Sequence, residues 1–245
     1  MRRAVFEILF IVLAGVGAVS LAAAPRKTAP PAVKEAVEGA YTIMQLDREI
    51  GVESFSRTVY DNNTVVLEAR TVTRVTEPDS MVDTSSLTLE EDSYFLIDYR
   101  SSRNAGKLQQ KTSIDVYANV AHITTDTNGR RNTLTKALPT GVLCVQSSTA
   151  SNLEMYLKRY NDTAGGKQSI LVFDPLGKRE YTKVLEKTGQ EQIDVLGTRQ
   201  PCTVYALQDS KGIQVKFYVD ATGRVVRAEI PLQRMTFVLA GYTVK

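Results

Sequence analysis

The chain has 245 residues and a formal net charge of +3, from 30 Lys and Arg against 27 Asp and Glu, with one His, two Cys and no Trp. One His and two Cys exclude a multi-histidine metal site and a four-cysteine zinc or iron–sulfur site. The near-neutral charge argues against a dedicated nucleic-acid binder, so we expect no metal, no cofactor and no nucleic-acid partner.

The first 24 residues have the layout of an export signal. Arg2 and Arg3 precede an uncharged run over residues 8–24, which ends in three alanines. A basic start, an apolar middle and a small-residue end predict a secretory signal peptide. The same run is just long enough for an uncleaved membrane anchor formed by residues 4–24. Either interpretation places the rest of the chain outside the cytoplasm, periplasmic or extracellular, and the second adds a contact with the membrane.

Residues 25–36 begin with a proline-rich stretch, which predicts an extended tether. Val33, Ala36 and Val37 would share one face of a helix over residues 32–39. The competing interpretation of these residues is simply the end of the tether, and the sequence alone leaves both open.

From residue 37 to residue 245 the dominant pattern alternates apolar and polar residues over short runs, as at 64–76. This pattern predicts antiparallel strands in a single domain. Turn sequences at 61–63, 128–129 and 220–223 separate such runs and predict hairpins. Counting the runs gives on the order of ten to twelve strands. A sheet of that size must curl, close, or bury its apolar face under a helix, a second sheet or a ligand.

His122 lies in a predicted strand, and no nucleophile motif of the Gly-x-Ser-x-Gly type accompanies it. A catalytic triad would have to use this imidazole because the chain has no other. We therefore predict no catalytic residue. A hydrolase with an unrecognised site remains the least favoured function.

Cys144 and Cys202 are the candidates for a disulfide, because the predicted compartment is oxidising and two cysteines allow a single pairing. The alternative is two buried, unpaired thiols.

Residues 151–160 form the one convincing helix candidate. Ser151 precedes Glu154 by three residues, as in a capping box. Apolar residues then recur at the spacing of one helical face: Leu153, Tyr156, Leu157 and Tyr160. A one-sided apolar face predicts that this helix lies against a sheet.

Three runs in the last third of the chain carry a family resemblance: Gln-Ile-Asp-Val-Leu-Gly at 192–197, Cys-Thr-Val-Tyr-Ala-Leu at 202–207, and a strand, Asp-x-x-Gly turn and strand at 215–229. Over residues 165–240 the chain resembles bacterial secreted or periplasmic proteins of the lipoprotein-carrier (LolA-like) superfamily and its uncharacterised relatives. The resemblance implies a mainly β fold, in which a large curved antiparallel sheet forms a half-barrel with one or two short helices packed on its concave face. That superfamily has no catalytic residues to carry over.

The same resemblance implies which side chains face the concavity. The candidates for lining a ligand groove are Leu153, Tyr156, Leu157, Tyr160, Tyr205, Val215, Phe217, Val226, Ala228, Met235, Phe237 and Leu239. They either line an open groove or form a sealed core. The first hypothesis is a non-enzymatic, exported cell-envelope protein that binds a lipid or other apolar ligand in the groove. The alternative is an envelope protein–protein interaction module with a sealed core.

Overall fold

The computed structural model describes residues 30–76, 79–146, 149–209 and 212–245. The predicted signal or anchor at residues 1–24 lies outside this part of the chain. Among the described residues no helix is long and apolar enough to cross a membrane. The same residues form fifteen strands: β1 Val33–Gln45, β2 Arg48–Tyr60, β3 Thr64–Thr76, β4 Asp79–Glu90, β5 Leu96–Ala105, β6 Leu108–Tyr117, β7 Val120–Thr127, β8 Arg130–Ala137, β9 Leu143–Cys144, β10 Lys167–Asp174, β11 Arg179–Val195, β12 Thr198–Asp209, β13 Gly212–Val219, β14 Val225–Ile230 and β15 Met235–Val244.

The fifteen strands form one sheet in the order β8-β7-β6-β5-β4-β3-β2-β1-β15-β14-β13-β12-β11-β10-β9. The first and last strands therefore pair at the middle of the sheet, with Tyr41 opposite Leu239 and Ile43 opposite Phe237. Two meanders run outward from this pair, one through β2 to β8 and one through β14 to β10. All pairings are antiparallel except the two-residue contact of β9 with β10.

The sheet is strongly curved but unclosed. Strands β8 and β9 are its two edges, yet Lys136 Nζ on β8 lies 3.3 Å from Glu180 Oε1 on β11. A contact between strands so far apart in the sheet order requires the sheet to curl until its ends approach each other. The predicted fold class, a mainly β half-barrel with short helical structure on its concave face, is confirmed.

The predicted alternation sets which side chains face inward. Along β3, Val65, Leu67 and Ala69 are buried while Glu68 and Arg70 are exposed. Each such strand therefore contributes one apolar row to the concave face and one polar row to the convex face. Consecutive residues of β12 from 204 to 207 are all buried, so both faces of that strand are covered.

The predicted hairpins at 61–63, 128–129 and 220–223 are confirmed. At the second of these, Asn128 and Gly129 have φ values of 50° and 81°. Positive φ at both central residues is the signature of a type I′ turn, whose twist matches that of the flanking strands.

The helix considered for residues 32–39 is wrong, because β1 begins at Val33 and pairs with β2 over most of this stretch. The strand also begins inside the predicted tether. Val37 is fully buried, and pairing on both sides of β1 satisfies its backbone groups better than an isolated short helix would.

The predicted helix at 151–160 is shorter in the structure. A 3-10 turn at Ser151–Leu153 leads into one α-helical turn, α1 Glu154–Leu157. Beyond it the chain makes tighter i to i+3 bonds, from Arg159 N–H to Tyr156 and from Tyr160 N–H to Leu157. The expected capping box is absent, since the residue at the N-cap makes no side-chain capping bond and Glu154 bonds to Arg224 and Val225.

The predicted disulfide is also absent: Cys144 and Cys202 are both free and buried. Cys144 lies on β9 and Cys202 on β12, with β10 and β11 between them. Three strand spacings amount to about 14 Å, whereas a disulfide needs Cα atoms within about 7 Å.

We predict that a thiol reagent titrates two free thiols per chain after denaturation without reductant. In the folded protein both thiols react slowly, because burial shields them and raises the pKa of Cys144 and of Cys202. A denatured, unreduced protein with no titratable thiol would contradict this arrangement.

Candidate functional site

A single connecting segment fills much of the concave face. It runs from the end of β8 toward β10, and we call its residues 138–146 and 149–160 the plug. Contacts of Ala150 and Ser151 with Glu53 on β2, and of Glu154 with Val225 on β14, place the segment on the concave face opposite the middle of the sheet. Most of the plug is buried, including Leu153, Met155 and Tyr156.

A buried carboxylate on β2 anchors the plug. Glu53 is fully buried, and its oxygens accept the backbone N–H groups of Ala150 at 2.8 Å and Ser151 at 2.9 Å. Burial raises the pKa of Glu53, and the two N–H bonds oppose that rise. A side chain from the sheet thus supplies the acceptor that the predicted capping box would have supplied locally.

A second carboxylate fixes the helical turn to the other half of the sheet. Glu154 Oε2 accepts a bond of 3.0 Å from Arg224 Nη1, and its Oε1 accepts the N–H of Val225 at 3.2 Å. Nearby, the Tyr41 hydroxyl donates to the Val225 carbonyl at 2.8 Å. The plug is therefore tied to both meanders.

The twelve groove candidates from the sequence lie in or against the core around the plug. Nine are buried: Leu153, Tyr156, Tyr160, Tyr205, Phe217, Val226, Ala228, Phe237 and Leu239. Leu157, Val215 and Met235 are partly buried and pack against that core. The ring of Tyr205 contacts those of Tyr160 and Phe217, and its centroid lies 5.5 Å from each of theirs.

One cavity of about 410 Å³ lies beside the helical turn, next to Phe55 and Met155. Its wall carries two ion pairs, Glu35 with Arg57 at 2.8 Å and Glu154 with Arg224 at 3.0 Å. A groove for a lipid would need an apolar cavity at this place. The cavity found there is strongly charged, and both carboxylates in its wall are paired with arginines.

A second cavity of about 420 Å³ opens at the end of the concave face that the plug leaves free, and we call it the rim pocket. It is bounded by the ends of β1, β3, β5 and β14 and by the starts of β2, β4 and β15. It is lined by Ile43, Gln45, Ile50, Thr71, Thr73, Arg74, Met81, Asp83, Arg103, Ile230, Gln233, Met235 and Phe237. Two of these, Met235 and Phe237, are among the groove candidates from the sequence.

The wall of the rim pocket is divided between apolar and polar groups. Ile50, Ile230 and Met235 are partly exposed apolar side chains at its edge. Its polar part includes the pair of Asp83 and Arg103, in which Arg103 Nε donates to Asp83 Oδ1 at 2.8 Å and Nη2 donates to Oδ2 at 2.7 Å. The Asp83 bonds raise the pKa of Arg103, so the guanidinium stays charged.

Gly51 shapes the floor of this pocket. It lies opposite Ile43 on β1 and Thr73 on β3. A Cβ at this position would come within 2.1 Å of the Val72 carbonyl oxygen. The glycine therefore lets β2 approach β3 closely where Thr73 faces the pocket.

Sequence reasoning missed the polar residues that matter most here. Glu53, Asp83 and Arg103 are charged residues at inward positions of β2, β4 and β5. A charged residue at an inward position is the signal that could have found them, because such a residue needs a buried partner.

The single histidine lies away from both cavities. His122 is exposed on β7, opposite Asp115 on β6. In the described part of the chain no group of three or more His, Cys, Asp or Glu side chains could hold a metal ion.

The comparisons with known proteins support the fold alone. A crystal structure of a β-barrel-like protein of domain of unknown function DUF1849 from Brucella abortus is similar to this chain, with a TM-score of 0.57 and 13% sequence identity. The match covers 86% of this chain and 98% of that one. No protein-family profile matches the sequence, and no curated protein matches it either.

We predict that replacing Glu53 changes the pH dependence of stability. Because the pKa of Glu53 is raised in the folded state, the folded protein holds its proton to higher pH than the unfolded chain does. The free energy of unfolding of the wild type, minus that of Glu53→Gln, should therefore fall as pH rises from about 4. A pKa raised by one unit corresponds to a fall of about 1.4 kcal/mol.

The measurement is urea unfolding of both proteins across this pH range. Glu49→Gln, an exposed position on the same strand, controls for the loss of one negative charge. A difference that grows with pH would contradict the prediction. It would mean that the two N–H bonds lower the pKa of Glu53 by more than burial raises it.

Proposed function

We propose that this is an exported, non-enzymatic cell-envelope protein that binds an amphipathic, lipid-like ligand in the rim pocket. The observation that carries the proposal is the pocket itself, with an apolar edge and a polar floor at the open end of the concave face. Its volume of about 420 Å³ lies in the range of about 300–1,000 Å³ that is typical of small-molecule sites.

The chemistry of the pocket selects the kind of ligand. Ile50, Ile230 and Met235 offer apolar surface to a chain, and exposed apolar surface in a concavity is a common mark of a ligand site. Asp83 and Arg103 offer hydrogen-bond partners to a head group. A purely apolar ligand would offer no hydrogen-bond partner to Asp83 and Arg103.

Two sequence features support the export of the protein and the lipid-like class of its ligand. The basic and then apolar start of the chain indicates export. The likeness of residues 165–240 to the lipoprotein-carrier superfamily favours carriage of a lipid or acyl chain over catalysis. The half-barrel fold is compatible with that activity, and fold similarity by itself assigns none.

The proposal is tested by calorimetric titration of the purified full chain with 1-O-decylglycerol and with decanoate, two single-chain amphiphiles. We expect at least one to bind with a stoichiometry of one. Met235→Glu should weaken that binding about tenfold or more, because it places a charge where the chain is buried.

Leu171→Glu is the matched control, because Leu171 is a partly exposed apolar residue on β10, outside the pocket lining. It should bind as the wild type does. Ile50→Glu repeats the test from β2 in case Met235→Glu does not fold. The proposal fails if neither amphiphile binds, or if the control loses as much affinity as the two pocket variants.

A further inference from the structure

We infer, on the basis of the proposed function, that the head group bound at the floor of the rim pocket is uncharged and carries hydroxyl groups. The inference rests on the hydrogen-bonding capacity of the floor and on its charge balance. It narrows the ligand class to neutral single-chain amphiphiles of the alkylglycerol type.

The first observation is an unsatisfied hydroxyl on the pocket floor. Thr73 lines the pocket and is 8% exposed. Its Oγ1 is buried without a hydrogen-bond partner among the described residues. A buried hydroxyl without a partner is costly, and a hydroxyl group on a ligand can both donate to it and accept from it.

The second observation is the charge of the floor. Asp83 is 8% exposed and forms a two-bond pair with Arg103, so the pair as a whole is neutral. An anionic head group would lie beside the Asp83 carboxylate, and a cationic one beside the Arg103 guanidinium. Neither charge gains a free counter-ion from this pair, whereas hydroxyl groups can bond to both of its members. Arg74 stands at the exposed edge, where water screens its charge.

The third observation gives the orientation of the ligand. Beyond Asp83 the concave face continues inward through Ser85, Thr112 and Thr125, each buried with a side-chain oxygen that lacks a partner among the described residues. Ser101 lies between Ser85 and Thr112 in register, so the four form one hydroxyl row across β4, β5, β6 and β7. The side of the pocket next to Asp83 therefore continues into a polar stretch of the concave face. The head group lies against Thr73 and Asp83, and the chain lies against Ile50, Ile230 and Met235.

The test compares three ligands with the same ten-carbon chain: 1-O-decylglycerol, decyl methyl ether and decanoate. The full chain should bind 1-O-decylglycerol most tightly. Thr73→Val preserves the shape of the side chain and removes the hydroxyl. It should weaken binding of 1-O-decylglycerol about fivefold to tenfold, the effect of one hydrogen bond, and leave decyl methyl ether unchanged.

Thr112→Val is the matched control. Like Thr73→Val it removes a buried hydroxyl without a partner among the described residues, but Thr112 does not line the rim pocket. It should leave the affinity for all three ligands unchanged. Removal of an unpartnered buried hydroxyl should not lower the melting temperature in either variant, which separates a loss of affinity from a loss of folding.

The outcomes distinguish this inference from the function on which it rests. If none of the three ligands binds, the proposed function fails. If all bind equally, or if decanoate binds most tightly, ligand binding stands and the neutral head group is wrong. An equal effect of Thr73→Val on 1-O-decylglycerol and decyl methyl ether would also overturn the inference. The contribution of Thr73 to binding would then not depend on the hydroxyl groups of the ligand.

Discussion

The structure depends on how the carboxylate of Glu53 holds the plug. Two backbone N–H groups of the plug, from Ala150 and Ser151, have their acceptor on the middle of the sheet rather than in their own segment. A carboxylate buried in this way is tolerated only because it is hydrogen-bonded. Without that anchor the N–H groups of Ala150 and Ser151 would lose the acceptor that they have in the described part of the chain.

The plug divides the concave face into two regions with different roles. On one side, the aromatic contacts of Tyr160 with Tyr205 and of Tyr205 with Phe217 belong to a sealed core. On the other side, the ends of the strands extend past the plug and leave the rim pocket. The twelve candidates from the sequence divide between these regions, since Met235 and Phe237 line the rim pocket and the other ten pack in or against the core.

Much of the fold followed from local patterns. The alternation along β3 and the Asn128-Gly129 turn are local signals, and both predict the observed hairpins because neighbouring strands in this sheet are also neighbours in sequence. The pairing of β1 with β15 joins residues about two hundred positions apart, and no local pattern encodes it. For the same reason the sequence predicted helix or tether, and not strand, for residues 32–39.

The candidate site was predictable only in part. Met235 and Phe237 were among the candidates because the family resemblance implied that they face the concavity. Asp83 and Arg103 were not found, because each is an ordinary strand residue until register places them opposite each other. The disulfide prediction was wrong for the same reason. The positions of Cys144 and Cys202 in the sequence do not show that two strands of the sheet lie between them.

The most direct test of the account is amide hydrogen exchange at Ala150 and Ser151. If Glu53 binds the plug as a permanent part of the core, both amides exchange as slowly as the slowest amides of β1 and β2, through global unfolding. Exchange of these two amides as fast as that of the exposed hairpin turns would contradict it. The plug would then be a loosely held loop, and the boundary that it sets between core and pocket would not exist.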